Sequence, residues 1–219
     1  MKREDLMEQY RERRKEIDSR LEDFEKLRQA SDIRMFKELV FVILTSQTEA
    51  EKAWEATGEL DDRGLLDEGG EQRIAEVLRD HDVSYEENKS SYIVENRKKL
   101  SQPTLDDPSG ELKLKNRIDP ENLEKTRKWL VDSVSGISWK GASHFLRNIG
   151  YGNGFAIISS HILKVMSQLD LIESPSAPEN REEYMEYEEK LRRLSEELGI
   201  DIKALDLVTW SLRTGEVFK

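Results

Sequence analysis

The 219-residue chain contains no cysteine, and this absence excludes several kinds of protein at once. Disulfide frameworks, thiolate zinc sites and cysteine nucleophiles all require a residue that the chain lacks. Long apolar runs are missing too, since no segment approaches the roughly 18 residues of a membrane span. The polar N-terminus does not have the pattern of a signal peptide. We therefore expect a soluble, cytoplasmic protein that has no membrane partner.

Strand patterns are almost absent as well, whereas apolar residues recur at helical spacing along the chain. Over residues 3–29 they form a narrow stripe, which predicts an N-terminal helix packed by one face. The following helix, opening at Ser31-Asp32, has the dense apolar pattern of a buried helix. Further helices are predicted at 72–80, 86–100, 142–148, 160–169, 181–198 and around 202–212.

Two helix starts are predicted from capping patterns. Thr48 is followed three residues later by Glu51, which has the form of a capping box. Pro120, between Asp119 and Glu121, suits the first position of another helix, because its missing N–H would be unpaired there anyway.

The formal net charge of −11 argues against a nucleic-acid partner, because phosphate binding depends on Lys and Arg. Total charge is a blunt test, since positive charge concentrated on one face is sufficient. Basic runs at 97–99, 113–117 and 125–128 permit such a face. Taken one at a time, each run is more typical of an ordinary solvated helix surface.

The segment 126–150, TRKWLVDSVSGISWKGASHFLRNIG, is the most informative part of the chain. A helix is predicted to end at Val134, and a second one to begin near Lys140 after a tight connection. Gly136 can supply the positive φ of a hairpin, and the small Ala142 allows close helix packing. Backbone N–H groups at such a hairpin suit a phosphate ligand. By geometry alone this is a helical hairpin and nothing more.

The residues of this hairpin resemble a known family. The stretch GISWKGASHFLRNIGY at 136–151 is similar to the helix-hairpin-helix signature of archaeal-type 8-oxoguanine DNA glycosylase/lyases. The resemblance continues in order through FKELVFVILTSQTEAEKA at 36–53, the segment 92–100, and LDLVTWSLRTGEVFK at the C-terminal side.

This resemblance implies an all-α fold in which two helical lobes flank a DNA-binding cleft and one lobe carries the helix-hairpin-helix motif. The whole chain, 1–219, would form one glycosylase unit. One lobe is expected at 36–118, and the other at 1–35 plus 119–219, with the hairpin at 126–150.

The resemblance also implies that Lys140 is the nucleophile. A bifunctional glycosylase attacks the sugar C1′ with an amine, forms a Schiff base, and cleaves the strand by β-elimination. Lysine suits this role where burial or nearby cations lower its pKa. At the entrance of the second hairpin helix, the helix dipole acts in the same direction.

The chain departs from the family at the second expected catalytic group. Members carry an aspartate in a segment like A-I-I-D-R-H-I-L, and here that position is Ser159. A hydroxyl can cap the helix and orient a water, but it cannot offset a developing positive charge. Three interpretations stay open: a slower enzyme that recruits His161 or water, an enzyme with abasic-site lyase activity only, or a protein that binds damaged DNA without turnover. The sequence does not distinguish a natural serine from an introduced one.

Base recognition is implied for three residues. In the family the terminal lysine with its carboxylate, and a tryptophan on the last helix, help to distinguish 8-oxoguanine from guanine. Lys219 and Trp210 match those positions. The terminal carboxylate could distinguish the two bases because it can accept a hydrogen bond from the N7–H that guanine lacks. Gln47 is a candidate contact for the extruded base or the opposite strand.

Extruding a nucleotide requires a side chain that fills the gap in the stack. Tyr85 falls where the family has an Arg-aromatic pair, although Ser84 replaces the arginine; a core position for Tyr85 is an equal alternative. Gly136, Ser138 and Arg147 are the expected contacts of the hairpin with DNA.

The sequence thus predicts a monomeric DNA repair glycosylase/AP lyase that acts on double-stranded DNA containing 8-oxoguanine or abasic sites. We expect no cofactor and no metal, and a cytoplasmic, nucleoid-associated location in a prokaryote. The alternative is a non-catalytic or lyase-only sensor of damaged or abasic DNA on the same fold, and a helical scaffold unrelated to DNA is the remaining one.

Overall fold

The computed structural model describes residues 2–103, 109–152 and 154–219, and in these ranges the chain forms helices and no strand. This confirms the all-α prediction. Among the described helices, none combines the length and the apolar character that crossing a bilayer requires. Short 3-10 turns occur at Leu27–Gln29 and Lys115–Arg117. The α-helices of the described ranges, in chain order, are α1 (Arg3–Lys26), α2 (Asp32–Leu44), α3 (Ala50–Asp62), α4 (Leu65–Glu68), α5 (Glu71–Asp80), α6 (Glu86–Leu100), α7 (Leu123–Ser133), α8 (Trp139–Asn148), α9 (Ser160–Gln168), α10 (Arg181–Leu198) and α11 (Ile202–Thr214).

Both capping predictions are wrong. The helix predicted to open at Thr48 begins at Ala50, because the Thr48 hydroxyl accepts from the backbone N–H of Ser84 at 3.1 Å and does not cap α3. The helix predicted to open at Pro120 begins three residues later. There the Asn122 side chain accepts from the backbone N–H of Lys125 and serves as the N-cap of α7.

The chain divides into two compact units. The terminal unit comprises Met1–Arg28 and Trp139–Lys219, and the central unit comprises Gln29–Ser138. The sequence led us to expect divisions after residues 35 and 118, whereas the structure divides the chain after residues 28 and 138. Residues 29–35 and 119–138, including α7, therefore belong to the central unit.

The core of the terminal unit is built from α1, α8, α9, α10 and α11. The predicted one-sided packing of α1 is confirmed, because Leu6, Ile17 and Phe24 are buried while most of its other side chains face solvent. Burying each such side chain stabilises the fold by roughly 1.5–3 kcal/mol. The segments that follow α1 and α8 are joined by Arg28, whose Nε donates to the Gly150 carbonyl at 2.6 Å. This packing fixes the position of α8 in the terminal unit.

The core of the central unit surrounds α2, which is buried on nearly every side, as its dense apolar pattern predicts. Helix α6 packs in this unit and uses polar side chains to hold two connections. The Asn96 amide donates to the Ser135 carbonyl at 2.9 Å and accepts from the Ser135 N–H at 2.8 Å. The Arg97 guanidinium donates to the carbonyls of Leu65 and Gly69 at 3.0 and 2.5 Å.

Gly136 has the backbone conformation that the hairpin prediction requires, with a φ of 84°. A Cβ atom at this position would lie 2.6 Å from Cδ2 of Tyr92 and 3.3 Å from Cγ2 of Ile43. Only glycine therefore satisfies both the positive φ and the close approach.

We predict that Gly136→Ala lowers the free energy of unfolding by about 2 kcal/mol or more, because it combines left-handed strain with overpacking against Tyr92. The control is Gly58→Ala inside α3, where a Cβ would meet nothing within 4 Å. That change should stabilise by about 0.5–1 kcal/mol. Urea unfolding measures both. An alanine at 136 that is tolerated as well as one at 58 would contradict this account of the hairpin.

Candidate active site

Helix α8 carries three basic or titratable side chains on one face. Lys140, His144 and Arg147 are spaced i, i+4 and i+7, so their side chains lie one above the other along the helix. Lys140 is partly buried, while His144 and Arg147 are buried. Together they place up to three positive charges in a region where little water can screen them.

Burial lowers the pKa of the Lys140 amine from its ordinary value, and the nearby Asp206 carboxylate acts in the opposite direction. Lys140 lies on the first turn of α8, where the positive end of the helix dipole also disfavours the ammonium form. The local structure therefore increases the fraction of Lys140 that is a neutral, nucleophilic amine near pH 7.

Asp206 reaches this stripe from α11. Its side chain is only 7% exposed, and its Oδ2 lies 3.7 Å from Nη2 of Arg147. Two cationic side chains, Arg147 and Lys140, interact with this buried carboxylate. Sequence reasoning did not identify Asp206, because nothing in LDLVTW indicates that this acidic residue is buried.

The expectation that Arg147 contacts DNA does not agree with this packing. Arg147 is 2% exposed, and its guanidinium lies 4.7 Å from the centre of the Phe24 ring in addition to facing Asp206. A side chain enclosed between a ring and a carboxylate serves the interior of the terminal unit. The physical reason is that the buried charge is compensated locally.

His144 was also missed, although its spacing from Lys140 could have revealed it. The pKa of His144 lies well below its usual value, first because of burial and then because Arg147, Lys140 and Lys219 are positively charged. A hydrogen bond with the backbone of Lys219 opposes this effect in part. His144 is therefore neutral at pH 7 and connects α8 to residue 219.

Aromatic groups gather beside the C-terminal segment. The His161 ring meets the Trp210 ring edge-on at 4.9 Å, and Phe218 stacks on Trp210 at 6.1 Å with 28° between the planes. The Trp210 indole N–H is buried and has no acceptor within the described residues. A buried donor of this kind is costly unless a ligand satisfies it. The terminal unit contains all four of the predicted residues Lys140, His161, Trp210 and Lys219.

Ser159 is the N-cap of α9. Its Oγ accepts from the backbone N–H of Ile162 at 3.3 Å, as the sequence suggested for a hydroxyl at this position. The helix start therefore does not require a carboxylate to form. The negative charge that the family has at this position is absent from residue 159.

Gln47 and Tyr85 come together in the central unit. Their φ values are 53° and 60°, a left-handed conformation that is rare for residues other than glycine. The Tyr85 hydroxyl donates to Oε1 of Gln47 at 3.1 Å, and the tyrosine is 57% exposed. The alternative of a core position for Tyr85 is therefore wrong. Strained, exposed and mutually bonded side chains are common at ligand-binding sites.

Gly136 and Ser138 are exposed residues of the connection 134–138 that follows α7 in the chain and precedes α8. Backbone N–H groups at the beginning of a helix point outward and can bind an anion. This arrangement suits a phosphate, and it depends on the backbone more than on either side chain.

A separate hollow of about 470 Å³ lies in the central unit and is lined by Arg117, Lys125 and Trp129 among others. It contains none of the residues predicted to be catalytic. Among the residues that the structure describes, no group of three His, Cys, Asp or Glu side chains is arranged to hold a metal ion.

The chain is similar to known proteins over most of its length. A family model described as 8-oxoguanine DNA glycosylase matches residues 17–200. The chain is 34% identical to an 8-oxoguanine DNA glycosylase/AP lyase of Fusobacterium nucleatum, over 96% of this chain and 94% of the relative. It is 36% identical to one of Korarchaeum cryptofilum, covering 93% of this chain and 90% of that one.

Solved structures are similar over almost the whole chain. The 8-oxoguanine DNA glycosylase of Thermotoga maritima has a TM-score of 0.85 at 32% identity, covering 99% of this chain and 98% of that one. The glycosylase/lyase of Methanocaldococcus jannaschii, in complex with a 15mer DNA containing 8-oxoguanine, has a TM-score of 0.84 at 31% identity over 98% and 99% of the two chains. The chain therefore belongs to the 8-oxoguanine DNA glycosylase family.

Proposed function

We propose that this chain is a bifunctional DNA glycosylase/AP lyase that excises 8-oxoguanine from duplex DNA, with Lys140 as its nucleophile. The observation that carries the proposal is the position of Lys140, a partly buried amine on the first turn of α8, where burial lowers its pKa. The relative from Methanocaldococcus jannaschii in complex with DNA containing 8-oxoguanine supports the choice of substrate.

The reaction follows from the neutral amine. Lys140 attacks C1′ of the sugar, and the bond between C1′ and the base breaks, so that its electron pair leaves with the base, which takes up a proton. The bond between C1′ and the ring oxygen O4′ then breaks as the amine passes a proton to O4′, which leaves a protonated Schiff base between Lys140 and C1′. Loss of a proton from C2′ then breaks the bond between C3′ and its phosphate oxygen and cleaves the strand.

The negative charge needed beside the cationic sugar is proposed to come from Asp206. Ser159 cannot supply it, whereas Asp206 is a buried carboxylate that interacts with Lys140 and Arg147. In a region with little water, such a charge interacts more strongly than it would in solution. Asp206 is a positioning residue, because it acts through Lys140. A catalytic role for His161 is a separate proposal.

Base recognition is proposed for Trp210 and Lys219. The buried indole N–H of Trp210 can donate to an oxygen or nitrogen of the base, and this would satisfy a donor that otherwise has no acceptor. Lys219 lies beside His144, which holds it near α8, the helix that carries Lys140. Gln47 is proposed to contact the extruded base or the opposite strand.

Tyr85 is proposed as the side chain that enters the DNA stack. Its exposure of 57% leaves the ring accessible, and its left-handed backbone points to a conformation kept for function. Gly136 and Ser138 would bind a DNA phosphate through their backbone. A monomeric state, binding to abasic sites and a cytoplasmic location stay predictions.

A second candidate function is a lyase-only or non-catalytic sensor of damaged DNA. Ser159 favours it, because the residue at the family aspartate position carries no charge. The two functions share the DNA-binding residues and differ in whether a covalent intermediate forms.

We predict that borohydride reduces a Schiff base on an 8-oxoguanine duplex to a stable adduct, and that Lys140→Gln abolishes the adduct because it removes the amine. The control is Lys164→Gln, which changes an exposed lysine on α9 and should preserve trapping. Gel electrophoresis under denaturing conditions measures both. Tight binding of the unchanged protein to the duplex without adduct or strand cleavage would favour the sensor instead.

We predict that Ser159→Asp increases the rate of 8-oxoguanine excision by about 10² or more, since it restores a carboxylate near the reacting sugar. Aspartate is also a good N-cap, so α9 should keep its stability. The matched control, Ser160→Asp, places the same charge one residue further along, on an exposed position. Equal effects of the two aspartates would mean that position 159 is not special.

We predict that Asp206→Asn shifts the acidic limb of the pH profile for adduct formation to lower pH. Asp206 raises the pKa of Lys140, so its loss lowers that pKa and the neutral amine persists in more acidic solution. The plateau rate should fall, and stability should drop by about 3 kcal/mol because a buried cation loses part of its compensation.

The control for this change is Glu188→Gln. Glu188 is a buried carboxylate of the same unit that accepts from the Ala156 N–H at 2.9 Å. It should lower stability without moving the acidic limb. A limb that stays in place in Asp206→Asn would contradict the interaction with Lys140.

A further inference from the structure

The first turn of α6 contains a buried lysine that follows Tyr85 by four residues. Lys89 is 4% exposed, although lysine is among the residues least often buried. Its Nζ donates to the carbonyls of Leu44 and Ser46 at 2.9 and 2.6 Å, and to the Thr48 hydroxyl at 3.0 Å. All three N–H donors of the ammonium group therefore have acceptors.

These bonds join two loops of the central unit. Leu44, Ser46 and Thr48 belong to the end of α2 and the connection after it, which also contains Gln47. The Thr48 hydroxyl accepts from the backbone N–H of Ser84 as well, at 3.1 Å. The Lys89 amine and the Thr48 hydroxyl thus connect the loop that contains Gln47 to the residue directly before Tyr85.

The two loops need such a connection because their backbones are strained. Gln47, Asp82 and Tyr85 all have positive φ, between 52° and 60°. Each left-handed residue costs on the order of 1 kcal/mol and persists only where its surroundings hold it. The Tyr85 ring, being mostly exposed, does not hold itself by packing.

We propose that Lys89 is a positioning residue that holds Gln47 and Tyr85 in the conformation in which Tyr85 enters the DNA stack beside the extruded nucleotide. The inference rests on the proposed function, and in particular on the role of Tyr85. Lys89 is distant in sequence from Lys140, and its proposed effect is confined to the opening of the duplex.

An ammonium group suits this position better than a neutral donor. The carbonyls of Leu44 and Ser46 lie at the C-terminal end of α2, where the helix dipole favours a cation. Burial lowers the pKa of Lys89 to about 8, so the amine still carries its charge at pH 7. Removing it would leave these acceptors without a donor, and the loops would lose their link.

The test uses Lys89→Met and two DNA substrates. A duplex with a tetrahydrofuran abasic analogue opposite 2-aminopurine becomes more fluorescent when a side chain unstacks the 2-aminopurine. A single strand with a natural abasic site reports Schiff-base formation at Lys140 without any duplex to open. We expect Lys89→Met to reduce the fluorescence change at least ten-fold, and to leave trapping on the single strand within about two-fold of the unchanged protein.

Arg97→Met is the matched control. Arg97 lies on the same helix and also donates to backbone carbonyls, but those of Leu65, Leu66 and Gly69. It should lower thermal stability by a similar amount and preserve the fluorescence change. If both variants lose the signal equally, general loosening of the unit explains the result and the proposal is overturned.

Chemical rescue separates the amine from the fold. Because the chain has no cysteine, Lys89→Cys introduces a single thiol. Alkylation of the unfolded protein with 2-bromoethylamine and refolding then restore a lysine-like amine at this position alone. Recovery of the fluorescence change supports the proposal, and a refolded amine without recovery overturns it.

Thr48→Val keeps the test decisive if Lys89→Met does not fold. This change removes the hydroxyl that links Lys89 to Ser84 while nearly preserving the side-chain shape. It should reduce the fluorescence change, as Lys89→Met does, and an unaltered signal would contradict the proposal.

Failure of the proposed catalysis is distinguishable from failure of this inference. In that case the unchanged protein would show normal fluorescence without trapping on either substrate. No fluorescence change in the unchanged protein would overturn the role of both Tyr85 and Lys89.

Discussion

An amine attacks carbon only in its neutral form, and the partial burial of Lys140 on the first turn of α8 favours that form. The rest of the terminal unit maintains this condition. Arg28, in the turn after α1, bonds to the segment that follows α8, and α11 brings Asp206 to Arg147. The Asp206 carboxylate raises the pKa of Lys140, yet it does not cancel the effect of burial. The same packing thus sets both influences on the proposed nucleophile.

The net charge of −11 does not show where the positively charged side chains lie or which groups they contact. Several of them act inside the fold, as Lys89 and Arg97 do when they donate to carbonyls at the ends of other helices. An interior cation of this kind joins loops more firmly than a neutral donor, since hydrogen bonds from charged groups are stronger. The exposed basic residues, including Lys98, are those that can face a polyanion.

Local signals made much of the fold predictable. The helix predicted at 181–198 has these bounds in the structure, where Asn180 caps its start and Gly199 adopts the left-handed conformation at its end. Signals that depend on distant partners were not predictable. The Thr48 hydroxyl binds groups about forty residues away in place of capping α3. Arg147 and Asp206 look like surface residues until α8 and α11 pack together and bury both. The alignment of Lys140, His144 and Arg147 along α8 could be recognised only in the folded structure, whereas the family could be recognised from the sequence motifs.

The pairing of Arg147 with Asp206 limits how this site can evolve. A change at either position alone would leave a charge in a region that solvates it poorly, which is among the most costly states for a folded chain. A lineage in which one of the two side chains changes must therefore acquire a compensating substitution at the other position nearly at the same time. Among descendants of a common ancestor, these two codons should covary, even though neither side chain is expected to meet the damaged base.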